Sequence, residues 1–366
     1  MSDRTENRPE VTAQRAENAK PTPSATHHNN HFDALRVLAA FLVIWSHSHD
    51  LLGIPDTPLL FGMTFSMVGL TIFFAISGFL VSGSALSQTR FRMFFLRRFL
   101  RIWPGLTINI LLLVLVVGPI YTSLPITQYF ASPKTWLFLA GIFIYALRWQ
   151  LPGVWQDVPA PGVNGSLWTI PHEFSFYLLS WVLKKLGVLS NWKILATICL
   201  FSSLAMDLFK EPIIEANMRF VLMSTRWLLH FGTIFVVGSL FRILWKNKRA
   251  LLIVTFLSVA LQILFSRTGH WHFYTIFAFV GVILFAAHLP YGHIYGKVTR
   301  GIDFSYGLYL WGFPIQQALI QHFGASKISP NRLTYTAFGI ALAFAWLSWT
   351  LVERPALSHV RGSTRG

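Results

Sequence analysis

Two ionisable residues, Arg36 and His47, fall inside the first long apolar stretch of the chain, eleven positions apart. In an α-helix that interval is roughly 16 Å of rise and within about 20° of three full turns. Both side chains are therefore expected on one helix face, Arg36 near a membrane surface and His47 at hydrocarbon depth. An ionisable group at that depth is costly and marks a functional site. A histidine whose pKa its surroundings can move is a natural general base.

A second group of residues invites anion binding. In Phe94-Phe95-Leu96-Arg97-Arg98-Phe99-Leu100-Arg101-Ile102-Trp103-Pro104, Arg98 and Arg101 stand at i,i+3 and Arg97 and Arg101 at i,i+4. Side chains so spaced share a helix face, and arginine forks match phosphate geometry. The cluster suits either a lipid-facing anchor or the phosphates of a cytosolic cofactor such as coenzyme A. A third group lies at 164–177, where His172 and Glu173 follow a Pro/Gly-rich loop and open an apolar helix. Glu173 can orient a histidine, bind a sugar hydroxyl or pair with an arginine. Its structural alternative is an acid favoured by the positive end of a helix. Trp168, His172 and Tyr177 supply the aromatic and polar surface on which a sugar stacks.

Composition sets the elements that must position these groups. The chain is 54% hydrophobic and 12% charged, against about a quarter charged in soluble domains. Apolar segments run approximately over 33–52, 61–87, 100–119, 135–148, 166–184, 193–209, 219–241, 250–266, 271–289, 302–322 and 333–352. Segments of that length and character cross bilayers, so the expected class is an all-α, polytopic membrane bundle. The net charge of +16 sits in short connections between apolar segments, a pattern of membrane orientation rather than nucleic-acid binding. Basic residues at 90–101, at Lys184, Lys185 and Lys193, at 242–249, at Lys297 and Arg300, and after Arg354 fall on one side only if one intervening segment does not cross. The short stretch 135–148, between Pro133 and Arg148, is the candidate for a re-entrant or interfacial element. Ten spans with both ends in the cytoplasm remain.

Residues 1–32 are polar and read as a disordered cytoplasmic tail, 33–354 as the membrane domain and 355–366 as a short cytoplasmic tail. The tail histidines His27, His28 and His31 are read as solvated rather than metal-binding. The only cysteine, Cys199, excludes an intramolecular disulfide, and no metal-ligand spacing stands out.

Taken together, these segments resemble the acyltransferase 3 family of integral membrane O-acyltransferases. The resemblance rests on Phe32-Asp33-Ala34-Leu35-Arg36 with His47, Phe73-Phe74-Ala75-Ile76-Ser77-Gly78-Phe79-Leu80, and the arginine motif ending at Pro104. Ser166-Leu167-Trp168 through Glu173 and Tyr177, Phe304-Ser305-Tyr306-Gly307-Leu308-Tyr309-Leu310-Trp311 and Val352-Glu353-Arg354-Pro355 extend it across the membrane region. The family's basic residue and histidine fit Arg36 and His47, and its arginine-x-x-arginine motif fits Arg98 and Arg101. Gly312 stands where members usually carry a histidine, so any auxiliary role of that histidine is expected to be absent or transferred, the glycine serving simply to widen the pocket.

The resemblance implies acyl transfer, usually of acetyl, from cytosolic acyl-coenzyme A to a hydroxyl of a cell-surface carbohydrate or glycolipid. The expected sites are His47, Arg36 and Glu173 for catalysis. Arg97, Arg98, Arg101 and Ser77 are expected to bind acetyl-CoA, and Trp168, His172 and Tyr177 the acceptor. With Arg36 about 16 Å from His47, Glu173 is the expected local partner of the histidine. Ser77 has a packing alternative, since serine beside glycine also serves helix contacts in membranes. The location implied is the inner membrane, alongside a polysaccharide biosynthesis system. Acylation of a peptide or secondary metabolite and membrane transport are the alternative functions.

Overall fold

A computed structural model describes residues 31–55, 57–60, 62–208, 219–220, 223–265, 273–289 and 303–362. Of the expected tail over 1–32, residues 1–30, with His27 and His28, lie outside the described residues, as do Lys297, Arg300 and the last four positions, whereas Phe32 opens the first helix.

The fold is an all-α membrane bundle. Its helices are α1 (Phe32–Leu51), α2 (Phe65–Ser87), α3 (Phe91–Leu112), α4 (Ile126–Ala131), α5 (Pro133–Phe138), α6 (Ile170–Lys185) and α7 (Trp192–Leu208). There follow α8 (Thr225–Leu244), α9 (Lys248–Leu264), α10 (Phe273–Ala286), α11 (Ser305–Phe323) and α12 (Pro330–Ser348). Helix α3 runs on through a π-turn at Leu113–Val117 to Tyr121, and α12 runs on through another at Trp349–Glu353. Among the described residues four helices are by length and composition able to cross a bilayer: Phe65–Ser87, Phe91–Tyr121, Thr225–Leu244 and Pro330–Ser358. Outward faces are apolar, as on α9, where Leu252, Ile253, Phe256 and Leu257 are exposed.

Local chemistry starts and breaks these helices. Thr64 caps α2 by accepting from the Met67 amide, and Ser329 caps α12 ahead of Pro330, which sits in the first turn. Both are standard ways to satisfy or remove the orphan donors of a helix start. Pro314 inside α11 removes the amide that would otherwise bond the carbonyl four residues back. That carbonyl, Leu310 O, instead accepts from Asn109 Nδ2 at 3.2 Å and Asn164 Nδ2 at 2.9 Å. Inside a membrane bundle such a freed group must find a partner, and it ties α3 and the loop before α6 to α11.

Helices α2 and α8 form the centre. Phe74 stacks on Phe231 at 4.4 Å, Gly78 lies against the backbone of Phe235, and Ser82 Oγ donates to Ser239 Oγ at 2.6 Å. Numbering rises together along both helices, so they run parallel. Small residues let the two backbones approach, the usual device where lipid gives helices no hydrophobic reason to pair. Each of the two follows a two-residue hairpin, Leu59–Leu60 with Met63–Thr64 and Arg219–Phe220 with Met223–Ser224.

The parallel pairing bears on 135–148. Between two parallel spans an odd number of crossings must intervene, a condition that α3 together with the shorter α6 and α7 would meet. A crossing at 135–148 would reverse α8. The stretch is in fact the end of α5 and a 3₁₀ turn, Leu139–Phe143, broken at Ile144 with φ +65°. Eleven residues of such helix rise at most about 20 Å, short of a roughly 30 Å hydrocarbon core.

Candidate active site

A cavity of about 350 Å³ lies between α1, α2, α3, α6 and α11, at the lower end of the range for ligand pockets. Three arginines line it: Arg36 from the first turns of α1, and Arg98 and Arg101 from the first half of α3. The arginines expected in a connection thus lie within α3 itself, which begins at Phe91. The i,i+3 spacing turns Arg98 and Arg101 to the cavity, whereas Arg97 is not part of its lining.

The three arginines differ in their counter-charge. Asp303, buried just ahead of α11, accepts from Arg101 and lies 3.7 Å from Arg36. It also accepts from the Ser305 amide at 3.1 Å and Ser305 Oγ at 2.6 Å. Burial alone would raise the Asp303 pKa, but Arg101, Arg36 and these hydrogen bonds outweigh it and bring it to about 2. Arg98 makes no ion pair among the described residues. Its guanidinium lies over the rings of Tyr177 at 5.6 Å and Phe94 at 6.0 Å, and its buried Nε has no hydrogen-bond partner.

Opposite Arg98, Tyr177 donates a short hydrogen bond to Glu173 Oε1, one turn back on α6. Ser77 Oγ approaches the same oxygen at 3.5 Å. Packing explains why Ser77 points there: its neighbour Gly78 takes the α8 contact, so the serine is left for the cavity. Further along, Tyr309 on α11 accepts from Thr169 Oγ1 at 2.5 Å and donates to the Ser166 carbonyl at 2.7 Å. Tyr306 donates to the Ile102 carbonyl at 2.7 Å. The result is a polar interior with one unneutralised guanidinium and one carboxylate, walled by Leu70, Phe73 and Phe74.

His47 lies elsewhere on the same helix. It stands four residues before the end of α1, about 6 Å from that end. Its Nδ1 lies 3.7 Å from Asp50, and its ring meets Phe313 edge-on at 5.4 Å. The local acid of His47 is therefore Asp50, one turn on, and not Glu173, whose contacts are Tyr177 and Ser77. Phe313 follows Tyr309 by one turn of α11, so the two rings lead from the cavity wall to the histidine.

Trp168 and His172 take a different surface from Tyr177. His172 Nδ1 donates to the Trp168 carbonyl at 3.0 Å, and the two rings pack edge-on at 5.5 Å. Trp168 in turn meets Trp227 at 5.5 Å on α8. Neither residue lines the cavity; Trp168 belongs to the 3₁₀ turn Leu167–Thr169 ahead of α6, and His172 takes another face of α6 from Glu173 and Tyr177.

Gly312 does not widen the pocket. A Cβ there would meet Ile44 Cγ1 at 2.6 Å, so the glycine lets α11 close on α1. The residue the sequence reading missed is Asp303. An acid at the opening of the apolar segment 302–322, in a chain with arginines in other apolar helices, was the available signal.

A family model for the acyltransferase domain matches residues 29–352. The chain belongs to the acyltransferase 3 family. Similar to it is the O-acetyl transferase of Shigella phage Sf6, 29% identical over 91% of this chain and 97% of that protein. Nodulation protein 10 of Rhizobium leguminosarum bv. viciae is 30% identical over 92% of this chain and 96% of that protein. No solved structure matches the chain. The protein is thus a membrane O-acyltransferase, and the residues above are its candidates for that chemistry.

Proposed function

We propose that this acyltransferase moves an acetyl group from acetyl-CoA to a hydroxyl of a cell-surface carbohydrate, such as an exopolysaccharide, O-antigen or glycolipid. The observation that carries the reading is the charge imbalance in the cavity. Arg36 and Arg101 share Asp303, whereas Arg98 faces the cavity without a carboxylate of its own. An unpaired guanidinium in an apolar bundle is held there at a cost, and an anionic ligand offsets it. The phosphates of acyl-coenzyme A are such a ligand, and an arginine fork suits them. The name of the phage relative supports acetyl as the group transferred.

In this reading the donor enters at the arginine end, and its acyl end extends past Tyr309 and Phe313 toward His47. The acceptor hydroxyl loses its proton to His47 as its oxygen attacks the thioester carbonyl carbon. The new C–O bond forms, the C–S bond breaks, and the coenzyme A thiolate leaves to be protonated. Asp50 holds the imidazole and its positive charge. Tyr177 and Ser77, gathered on Glu173, keep the far wall of the cavity polar. The arginine end is assigned to the cytoplasm of the inner membrane, since acyl-coenzyme A is made there and basic residues gather at that end. The carbohydrate is then presented from the opposite face by a polysaccharide assembly system.

The test is transfer of labelled acetyl from acetyl-CoA to glycan in membranes carrying the protein, with mass spectrometry of surface glycans from cells with and without it. A mass gain of one acetyl that depends on His47 supports the reading. Unaltered glycans together with a labelled peptide or small metabolite would replace the acceptor.

A further inference from the structure

A second cleft, of about 780 Å³, lies where the ends of α2 and α8, the turn at Val188–Ser190 and the start of α9 come together. Its cations are Arg242, Lys246 and Lys248, its hydroxyls Ser87 and Ser190, and no acidic side chain lines it. None of the three cations makes an ion pair among the described residues. Two of them are held by aromatic rings: Arg242 lies over Phe79 at 5.3 Å and Lys248 over Trp245 at 5.7 Å.

Arg242 is also placed by a glycine. It crosses α2 directly above Gly83, where a Cβ would come 2.5 Å from its Nε. Stacking on one side and an absent side chain on the other fix the guanidinium at the cleft wall, so little ordering is left for a ligand to impose. Arginine and lysine donors beside two hydroxyls, without a competing carboxylate, fit a phosphate oxygen set.

The surroundings select the form of that phosphate. Leu86 lines the cleft and is exposed, Trp245 stands at its edge, and the adjoining α9 carries exposed Leu252, Ile253 and Phe256. Apolar surface below and cations above are what a lipid meets at the head-group level, where tryptophan also settles. We propose that this cleft holds the phosphodiester headgroup of an anionic membrane lipid. The site is separate from the central cavity and independent of the acceptor assigned above.

The experiment uses the full chain purified in neutral detergent and titrated with phosphatidylglycerol, phosphatidylcholine or inorganic phosphate, with adducts counted by native mass spectrometry. Phosphatidylglycerol is expected to bind in preference to phosphatidylcholine. Neutralising Arg242, Lys246 and Lys248 to Gln should weaken that binding by on the order of a hundredfold, since each cation near an anionic headgroup contributes roughly fivefold. Gly83→Ala keeps every charge but displaces Arg242, and it should also weaken binding; this variant decides the matter if the triple one does not fold. Arg332→Gln, a surface cation on α12, should leave it unchanged. Equal binding of phosphatidylcholine, retention of the adduct by Gly83→Ala and the triple variant, or equal displacement by inorganic phosphate would overturn the proposal.

Discussion

The Arg36 guanidinium and the Asp303 carboxylate lie 3.7 Å apart, joining the start of the first helix to the residue ahead of α11. Arg101 donates to the same carboxylate from α3. One acid thus fastens three elements around the mouth of the cavity and leaves Arg98 as the cation without a carboxylate.

Replacing Asp303 by Asn should therefore be severe. Arg101 would remain buried without its charge partner and Arg36 would keep only Asp33, at 3.9 Å, and breaking a buried pair in this way costs about 3–5 kcal/mol. Thermal unfolding in detergent should show a large drop in melting temperature. The acid limb of stability carries the same signature. Because the Asp303 pKa falls from 3.8 to about 2 on folding, its stabilisation is fully present above the unfolded value and is lost as pH falls from about 4 toward 2. The difference in stability between wild type and Asp303→Asn should shrink across that window and stay constant above it. A difference that grew on acidification would refute the role.

Arg98 and Arg101, alike in sequence, should separate in experiment. Arg98→Ala removes a cation that has no carboxylate to abandon, so the protein should stay folded while KM for acetyl-CoA rises at least tenfold, as for loss of a charge-assisted contact. Arg101→Ala takes away the guanidinium that donates to Asp303, leaving that carboxylate only Arg36 at 3.7 Å, and should lower stability first. Arg97→Ala, outside the cavity lining, should change KM least. Equal effects of all three on KM would mean a diffuse basic anchor instead.

Helical periodicity made much of this legible. The eleven-residue interval puts Arg36 and His47 along one helix, and the i,i+3 interval turns Arg98 and Arg101 to a common space. Apolar segment lengths anticipated α2 and α11 closely, because lipid-spanning helices declare themselves by composition. Contacts between elements were not legible. Nothing local to Glu173 says that its partners are Tyr177 and Ser77 rather than His47, since that depends on which face of α6 meets α2. Asp303 escaped for the same reason: its meaning comes from two arginines on other helices. Gly312 reads as empty space in a sequence, but Ile44 fills that space.

His47→Ala should abolish transfer without loss of donor binding. A positioned general base contributes typically 10²–10⁴-fold, so kcat should fall by that order while acetyl-CoA still binds the arginine end. Asp50→Asn leaves the imidazole in place but removes its acid at 3.7 Å, and an intermediate loss with a shifted pH profile is expected. Wild-type transfer by His47→Ala would move the base to Glu173, the carboxylate that lines the cavity.

Restoring a side chain at Gly312 tests the packing account against the pocket account. Alanine there puts a Cβ 2.6 Å from Ile44 Cγ1, and overpacking of this kind costs typically about 1–3 kcal/mol. Gly312→Ala should lower the melting temperature, and Ile44→Val or Ile44→Ala in the same chain should return part of it, giving a non-additive double-mutant cycle. Had the glycine served to enlarge the cavity, alanine would change KM for donor or acceptor with little effect on stability, and Ile44 would not couple to it. Because α11 carries both Tyr309 and Phe313, a shift of this helix should also move the path between the cavity and His47. Loss of kcat is thus expected to follow the loss of stability and to recover with the Ile44 substitution.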